Sequence, residues 1–148
     1  MLETGRLWFL VADGRRARIL VEERRGATLA EPQELRFEIG PEDLYEPQDR
    51  PPRAHDRVGD ARHAMDGGRN LHEAEEEKFL RRVATAIIEA HRAERFEHLA
   101  IAAPPRALGL LRAALPDAVK ARVRGEAAID VVSEASADLR ERLRDLLR

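Results

Sequence analysis

Between Gly40 and Asn70 the chain carries Arg50, Arg53, Arg57, Arg62 and Arg69, with His55 and His63 among them and the pair Gly67-Gly68 beside the last arginine. Guanidinium forks match phosphate oxygens in shape and charge, and glycine lets a backbone approach a ligand closely. The chemistry such residues suit is binding of a polyanion such as RNA, with the arginines on phosphates. Arg57, Arg62, His63, Gly67, Gly68 and Arg69 are therefore the candidate contact residues. Asp49, Asp56, Asp60 and Asp66 interleave with the arginines, so the stretch is not strongly basic. A solvated connection is the competing reading.

A further candidate is Arg106, in Ala103-Pro104-Pro105-Arg106, where a strand feeds a helix. Helix starts at strand ends often receive anions. Two prolines remove two N–H donors from this one, so a rigid corner competes with a binding role. His55, His63 and His72 stand eight and nine residues apart, which matches no common zinc pattern, and no metal site is expected. Ser133 and Ser136 sit in a helix-capping context rather than on a nucleophile elbow. No phosphate-binding loop, dinucleotide fingerprint or His-Glu-x-x-His is present. Asp13 and Asp130 could form a metal-binding carboxylate pair for hydrolysis, although an Asp ahead of Gly14 reads more simply as a turn. The expectation is a non-enzymatic protein without a cofactor.

Composition narrows the partners. The 148 residues include 26 basic against 28 acidic side chains, so bulk charge selects neither nucleic acid nor a membrane surface, and no DNA specificity is expected. All but Lys78 and Lys120 of the basic residues are arginine, so a single arginine counts for little. Cysteine is absent, which excludes disulfides and thiolate chemistry and fits a reducing compartment. The first apolar run, Leu7 to Ala12, is too short for a signal-peptide core or a membrane span, and a cytoplasmic location is expected.

The positioning elements follow from periodicity. Leu7 to Ala12 is continuously apolar, as in a strand covered on both faces. Asp13-Gly14 turns it into a second strand from Ala17 to Glu22. Leu35 to Ile39 alternates as a third strand, with Leu35, Phe37 and Ile39 towards the core. Gly40 to Asn70, rich in proline and glycine, reads as a long loop of the kind usually kept for function. A long helix is expected from Asn70, with Glu73 completing a capping box and Phe79, Val83 and Ile87 on the buried face. A strand at His98 to Ala102 leads to a helix opened by Pro105 and buried through Leu108, Leu111 and Leu115. A last strand is expected from Ala128 to Val132. Ser133 or Ser136 then caps a helix carrying Leu139, Leu143 and Leu147. The fold class is α/β, one domain with a mixed sheet of about five strands and helices packed on it.

Several of these segments resemble one family together. Trp8-Phe9-Leu10-Val11-Ala12-Asp13 with Ala17-Arg18-Ile19 looks like the opening of the bacterial host-attachment proteins. Asp60 to Met65, His72-Glu73-Ala74-Glu75 with Phe79, and Ala102 to Arg112 resemble that family's later segments in the same order. The family is in turn similar to the central domain of archaeal and eukaryotic peptide-chain release factors, which implies an α/β fold with a mixed sheet. In release factors a Gly-Gly-Gln loop ahead of a long helix enters the peptidyl-transferase centre. Gly67-Gly68-Arg69 stands in the comparable place, and without the glutamine the resemblance implies no peptidyl-tRNA hydrolysis. It implies an intracellular domain that binds RNA or the ribosome through the 40–70 segment. The alternatives are a protein-interaction module supporting attachment to host cells and a metal-dependent hydrolase.

Overall fold

The computed structural model describes residues 4–44 and 60–148, and of residues 60–70 it describes the backbone. In chain order the elements are β1 (Leu7–Ala12), β2 (Arg16–Glu22), β3 (Leu29–Ala30), β4 (Arg36–Glu38), α1 (Asp60–Arg92), β5 (His98–Ala103), α2 (Pro105–Ala114), α3 (Asp117–Lys120), β6 (Val123–Ala128) and α4 (Ser136–Leu146).

Every residue of β1 is buried, which fits its unbroken apolar run and its central place in the sheet. It pairs antiparallel with β2 from Leu7↔Glu22 to Ala12↔Ala17, and parallel with β5 from Leu7↔His98 to Val11↔Ala102. The strand order is β3-β2-β1-β5-β6, and β4 also pairs with β2. Two short strands thus share the outer edge of β2, β3 at Val21 and Glu22 and β4 at Arg16 to Arg18. The sheet is mixed, with six strands rather than about five.

Alternation along β1 sends its side chains into two cores. Trp8, Leu10 and Ala12 meet Phe79, Val83 and Ile87 of α1 and Leu108 and Leu111 of α2. Leu7, Phe9 and Val11 meet Leu139 and Leu143 of α4, together with Val131 and Val132. The layers are therefore helices, sheet, helix, and burial of both sheet faces supplies the main driving force.

Four local expectations change. The third strand is shorter, because Leu35 ends a 3-10 turn over Gln33–Leu35 and only Arg36–Glu38 pairs. Its facing holds: Leu35 is buried, and Phe37 and Ile39 pack on the first core. The last strand is Val123–Ala128 instead of Ala128 to Val132. As an edge strand it carries Arg124 and Glu126, which conceal its period, while Val131 and Val132 bury themselves from a loop. Gly125 in that strand is needed by packing, since a Cβ there would lie 2.8 Å from the Leu146 carbonyl oxygen. The final helix starts at Ser136 with Ala135 at its N-cap and no side-chain cap. Ser133 Oγ instead accepts a hydrogen bond from Arg16 Nη2, and Ser136 Oγ donates to Glu31 Oε1 at 3.4 Å.

The fourth change concerns the long helix, which begins at Asp60 rather than Asn70. Asn70 lies inside the helix rather than at its start. Ala61, Arg62, Ala64 and Met65 are strong helix formers, and no proline occurs between Pro52 and Pro104. Gly67 and Gly68 each cost about 1 kcal/mol relative to alanine, which weakens a helix without ending it. The segment has no apolar period that would mark it as a helix in the sequence. The expected 40–70 loop is accordingly a short turn at Gly40–Leu44, residues 45–59 outside the described residues, and helix from Asp60.

Candidate functional site

The helix α1 has 33 residues and is about 50 Å long at the helical rise. Its buried side chains run from Glu75 through Phe79, Leu80, Val83, Ala84 and Ile87 to Ala90. Glu76 marks where the sheet ends: at Gly14, on the β1–β2 turn, a Cβ would lie 2.7 Å from Glu76 Cδ. Residues 60–72 therefore continue roughly 20 Å past that turn. They do so at the carboxyl ends of the parallel strands β1 and β5, the end at which open α/β sheets usually receive ligands. Arg62, His63, Gly67, Gly68 and Arg69 all belong to this projecting part of α1. Gly67-Gly68-Arg69 is thus helical, not a loop ahead of the helix, and this departs from the arrangement that a Gly-Gly-Gln loop implies. Arg57 lies outside the described residues, as do Arg50, Arg53 and His55.

Arg106 stands at the base of the projection. Its Nη1 donates to Glu76 Oε1 at 3.2 Å and its Nη2 to the Glu73 carbonyl at 3.4 Å. The guanidinium ties the start of α2 to α1, and Pro104 accepts the Leu108 N–H at 2.8 Å behind it. The rigid-corner reading describes this geometry, with one face of Arg106 still exposed. The side chains of Arg62, His63 and Arg69 lie outside what the structure describes.

Two arginine clamps were not found from the sequence. Arg82 donates to Asp43 through Nε at 3.0 Å and Nη2 at 2.8 Å, and Nη2 also reaches the Glu38 carbonyl at 2.8 Å. Asp43 is 1% exposed and also accepts the Gly40 N–H at 3.0 Å. Burial pushes its carboxyl upward, but the Arg82 hydrogen bonds, the Gly40 N–H and the nearby charges of Arg82 and Lys78 outweigh that and hold it below the usual range. The bidentate fork fastens the Gly40–Leu44 turn to α1 and sets where the chain leaves towards residues 45–59. A separation of 39 residues leaves no local signal for such a pair.

The second clamp centres on Glu31. Arg18 binds it through Nε at 2.7 Å and Nη2 at 2.8 Å, and Arg36 Nε adds a third donor at 2.9 Å. The remaining Arg18 nitrogen reaches the carbonyls of Val132 at 2.7 Å and Glu134 at 2.6 Å. The Arg18 hydrogen bonds lower the Glu31 pKa to about 2, against the opposing effect of burial. This network joins β2, the segment after β3 and the loop before α4.

The carboxylate-pair reading has little geometric support. Asp13 Oδ1 accepts the N–H groups of Arg15 and Arg16, both at 2.8 Å, so its carboxylate closes the β1–β2 turn. Asp130 is exposed on the loop after β6. His72 is exposed with Nδ1 3.7 Å from Glu75 Oε1, and among the described residues no three His, Asp or Glu side chains gather as metal ligands.

The architecture is that of a three-layer α/β domain built on a mixed six-stranded sheet, with a long helix overrunning the carboxyl end of its parallel strands. The chain belongs to the family described as protein required for attachment to host cells, whose model matches residues 8–143. No curated protein matches it. Among the described residues no helix is long and apolar enough to cross a membrane.

Proposed function

We propose that this host-attachment family protein is a non-enzymatic binding domain that engages RNA or the ribosome through the overrunning part of α1 and the segment before it. The observation that supports the reading is that Arg62, His63, Gly67, Gly68 and Arg69 fall on the N-terminal turns of α1, ahead of the point where Glu76 meets the β1–β2 turn. Arginines are the side chains that contact phosphates most often, and Gly67-Gly68 leaves one turn slim enough for close backbone approach. Arg57 would extend the contact, and Arg106 would brace its base. The resemblance of the sequence motifs to release-factor central domains points to the same partner class, while the helical Gly67-Gly68-Arg69 departs from the release-factor loop. It supports no hydrolytic step, because Arg69 stands where the glutamine would be.

Phosphate contacts release counterions, so binding must weaken steeply with salt. Ribosomes sedimented with the full chain should carry it down at low salt and release it at high salt. An Arg62→Gln/Arg69→Gln variant should lose most of that association while keeping its thermal midpoint. Absence of co-sedimentation of the parent chain at low salt would remove the reading.

The family's description favours a second reading, a protein-interaction module that supports attachment to host cells. The near-equal mix of acids and arginines along residues 49–69 suits a protein surface as well as a polyanion. Retention of a protein partner by the chain, unchanged by nuclease and lost in the same double variant, would select it.

A further inference from the structure

On the opposite face from α1, a cleft of about 230 Å³ opens between the β2–β3 turn and α4. Leu29 and Leu143 form its apolar floor, continuous with the second core. Arg25, Arg140 and Arg144 stand around it, and Glu22 is the one carboxylate in the lining. Gly26, at a φ of 88°, turns the backbone back here and has nothing within 4 Å of where a Cβ would be, so the mouth stays open.

The cleft gathers three guanidinium groups around one small space. Elsewhere the well-placed arginines are matched by carboxylates at close range: Arg18 by Glu31, Arg82 by Asp43, Arg142 by Glu134. Around the cleft two of the three arginines have a carboxylate partner. Glu22 lies 3.9 Å from Arg25, and Glu141 lies 3.2 Å from Arg144 on an exposed flank of α4. Among the described residues Arg140 has no carboxylate within ion-pairing distance. Three guanidinium groups against Glu22 and Glu141 leave one positive charge over, at Arg140, beside an apolar floor.

We infer that this cleft is a binding site for a small organic carboxylate, its apolar body on Leu29 and Leu143 and its anionic head on Arg140, flanked by Arg25 and Arg144. Size restricts the ligand. A cavity of about 150 Å³ accepts benzene, and pockets for drug-sized molecules begin near 300 Å³. The space here suits one aromatic ring or a chain of about six carbons with its carboxylate. The paired donors of a guanidinium fix the head, and the floor discriminates against anions that lack an apolar body. The site is independent of the RNA-binding reading, since it lies across the sheet from α1.

The test is titration of the full chain with benzoate, hexanoate and inorganic phosphate, followed by amide chemical shifts and calorimetry. Benzoate or hexanoate should move the amides of Arg25 to Leu29 and Arg140 to Arg144 and saturate, while phosphate binds at least tenfold more weakly. Arg140→Gln should weaken the carboxylate at least tenfold. Among the described residues its side chain makes no ion pair, so the thermal midpoint should hold; Arg144→Gln, on the exposed flank of α4, should give a smaller loss in the same direction. No saturable shift at these amides with either carboxylate overturns the inference. So does phosphate binding as tightly as hexanoate, or an affinity untouched by both substitutions.

Discussion

At the scale of single residues, Glu31 shows how one carboxylate can serve three parts of the chain. It takes both forks of Arg18 and a third donor from Arg36, and its side chain is 10% exposed. Its pKa is lowered from 4.5 to about 2. A depressed carboxylate contributes stability that is complete above its unfolded value and disappears as pH falls through the folded one. That contribution is therefore full above about pH 4.5 and fades towards pH 2. Glu31→Gln should lower stability at neutral pH by about 1.5–3 kcal/mol, the usual worth of hydrogen bonds to a charged group. The gap in thermal midpoint between parent and variant should narrow as pH is lowered from 5 to 2.5, and a gap that stays constant over that range would contradict the assignment. Asp43 follows the same logic from a more buried position, with Arg82 as its partner.

At the scale of elements, α1 carries the sharpest prediction. Gly67 and Gly68 lie inside a helix, so alanine there should help rather than hurt, by about 0.5–1 kcal/mol at each position. The Gly67→Ala/Gly68→Ala variant should show greater helical circular dichroism and slower amide exchange over residues 60–70. Loss of helicity would mean that the two glycines occupy a loop. Elements with an apolar side and a regular period were legible in the sequence: Leu7–Ala12, Ala17 to Glu22, His98 to Ala103, the Leu108/Leu111 helix and the stripe from Phe79 to Ile87. The parts that were not legible lacked one of those signals. β3 has two residues, too few to alternate, and β6 is an edge whose Arg124 and Glu126 face outward. The first turns of α1 carry no apolar stripe. The clamps from Arg82 to Asp43 and from Arg18 to Glu31 join distant segments, and a single sequence holds no trace of such pairing. The cleft beside α4 is likewise a product of tertiary packing, because Arg25 and Arg140 meet only through the fold.

At the scale of the molecule, the sheet separates two cores that share a backbone but few side-chain neighbours. Leu111 belongs to the core under α1 and α2, and Leu139 to the one under α4. Each is fully buried, so Leu111→Ala and Leu139→Ala should each cost about 2–5 kcal/mol. Sites on opposite faces with no shared partner should add within about 0.5 kcal/mol. Chemical denaturation of the two single variants and the double variant tests this, and a large coupling would show that the sheet transmits packing from one side to the other. The same central strand has a consequence for the order in which the chain is made. Phe9 can zip to Leu20 as soon as the hairpin emerges, yet its other flank waits for Ala100. At about 5–20 residues per second, the eighty or so residues from Leu20 to Ala100 take on the order of 4–16 s to synthesise. Throughout that interval the most apolar strand of the protein presents one bare ladder of amides and carbonyls, and nascent chains are at their most vulnerable to sticking together until His98 to Ala103 arrives.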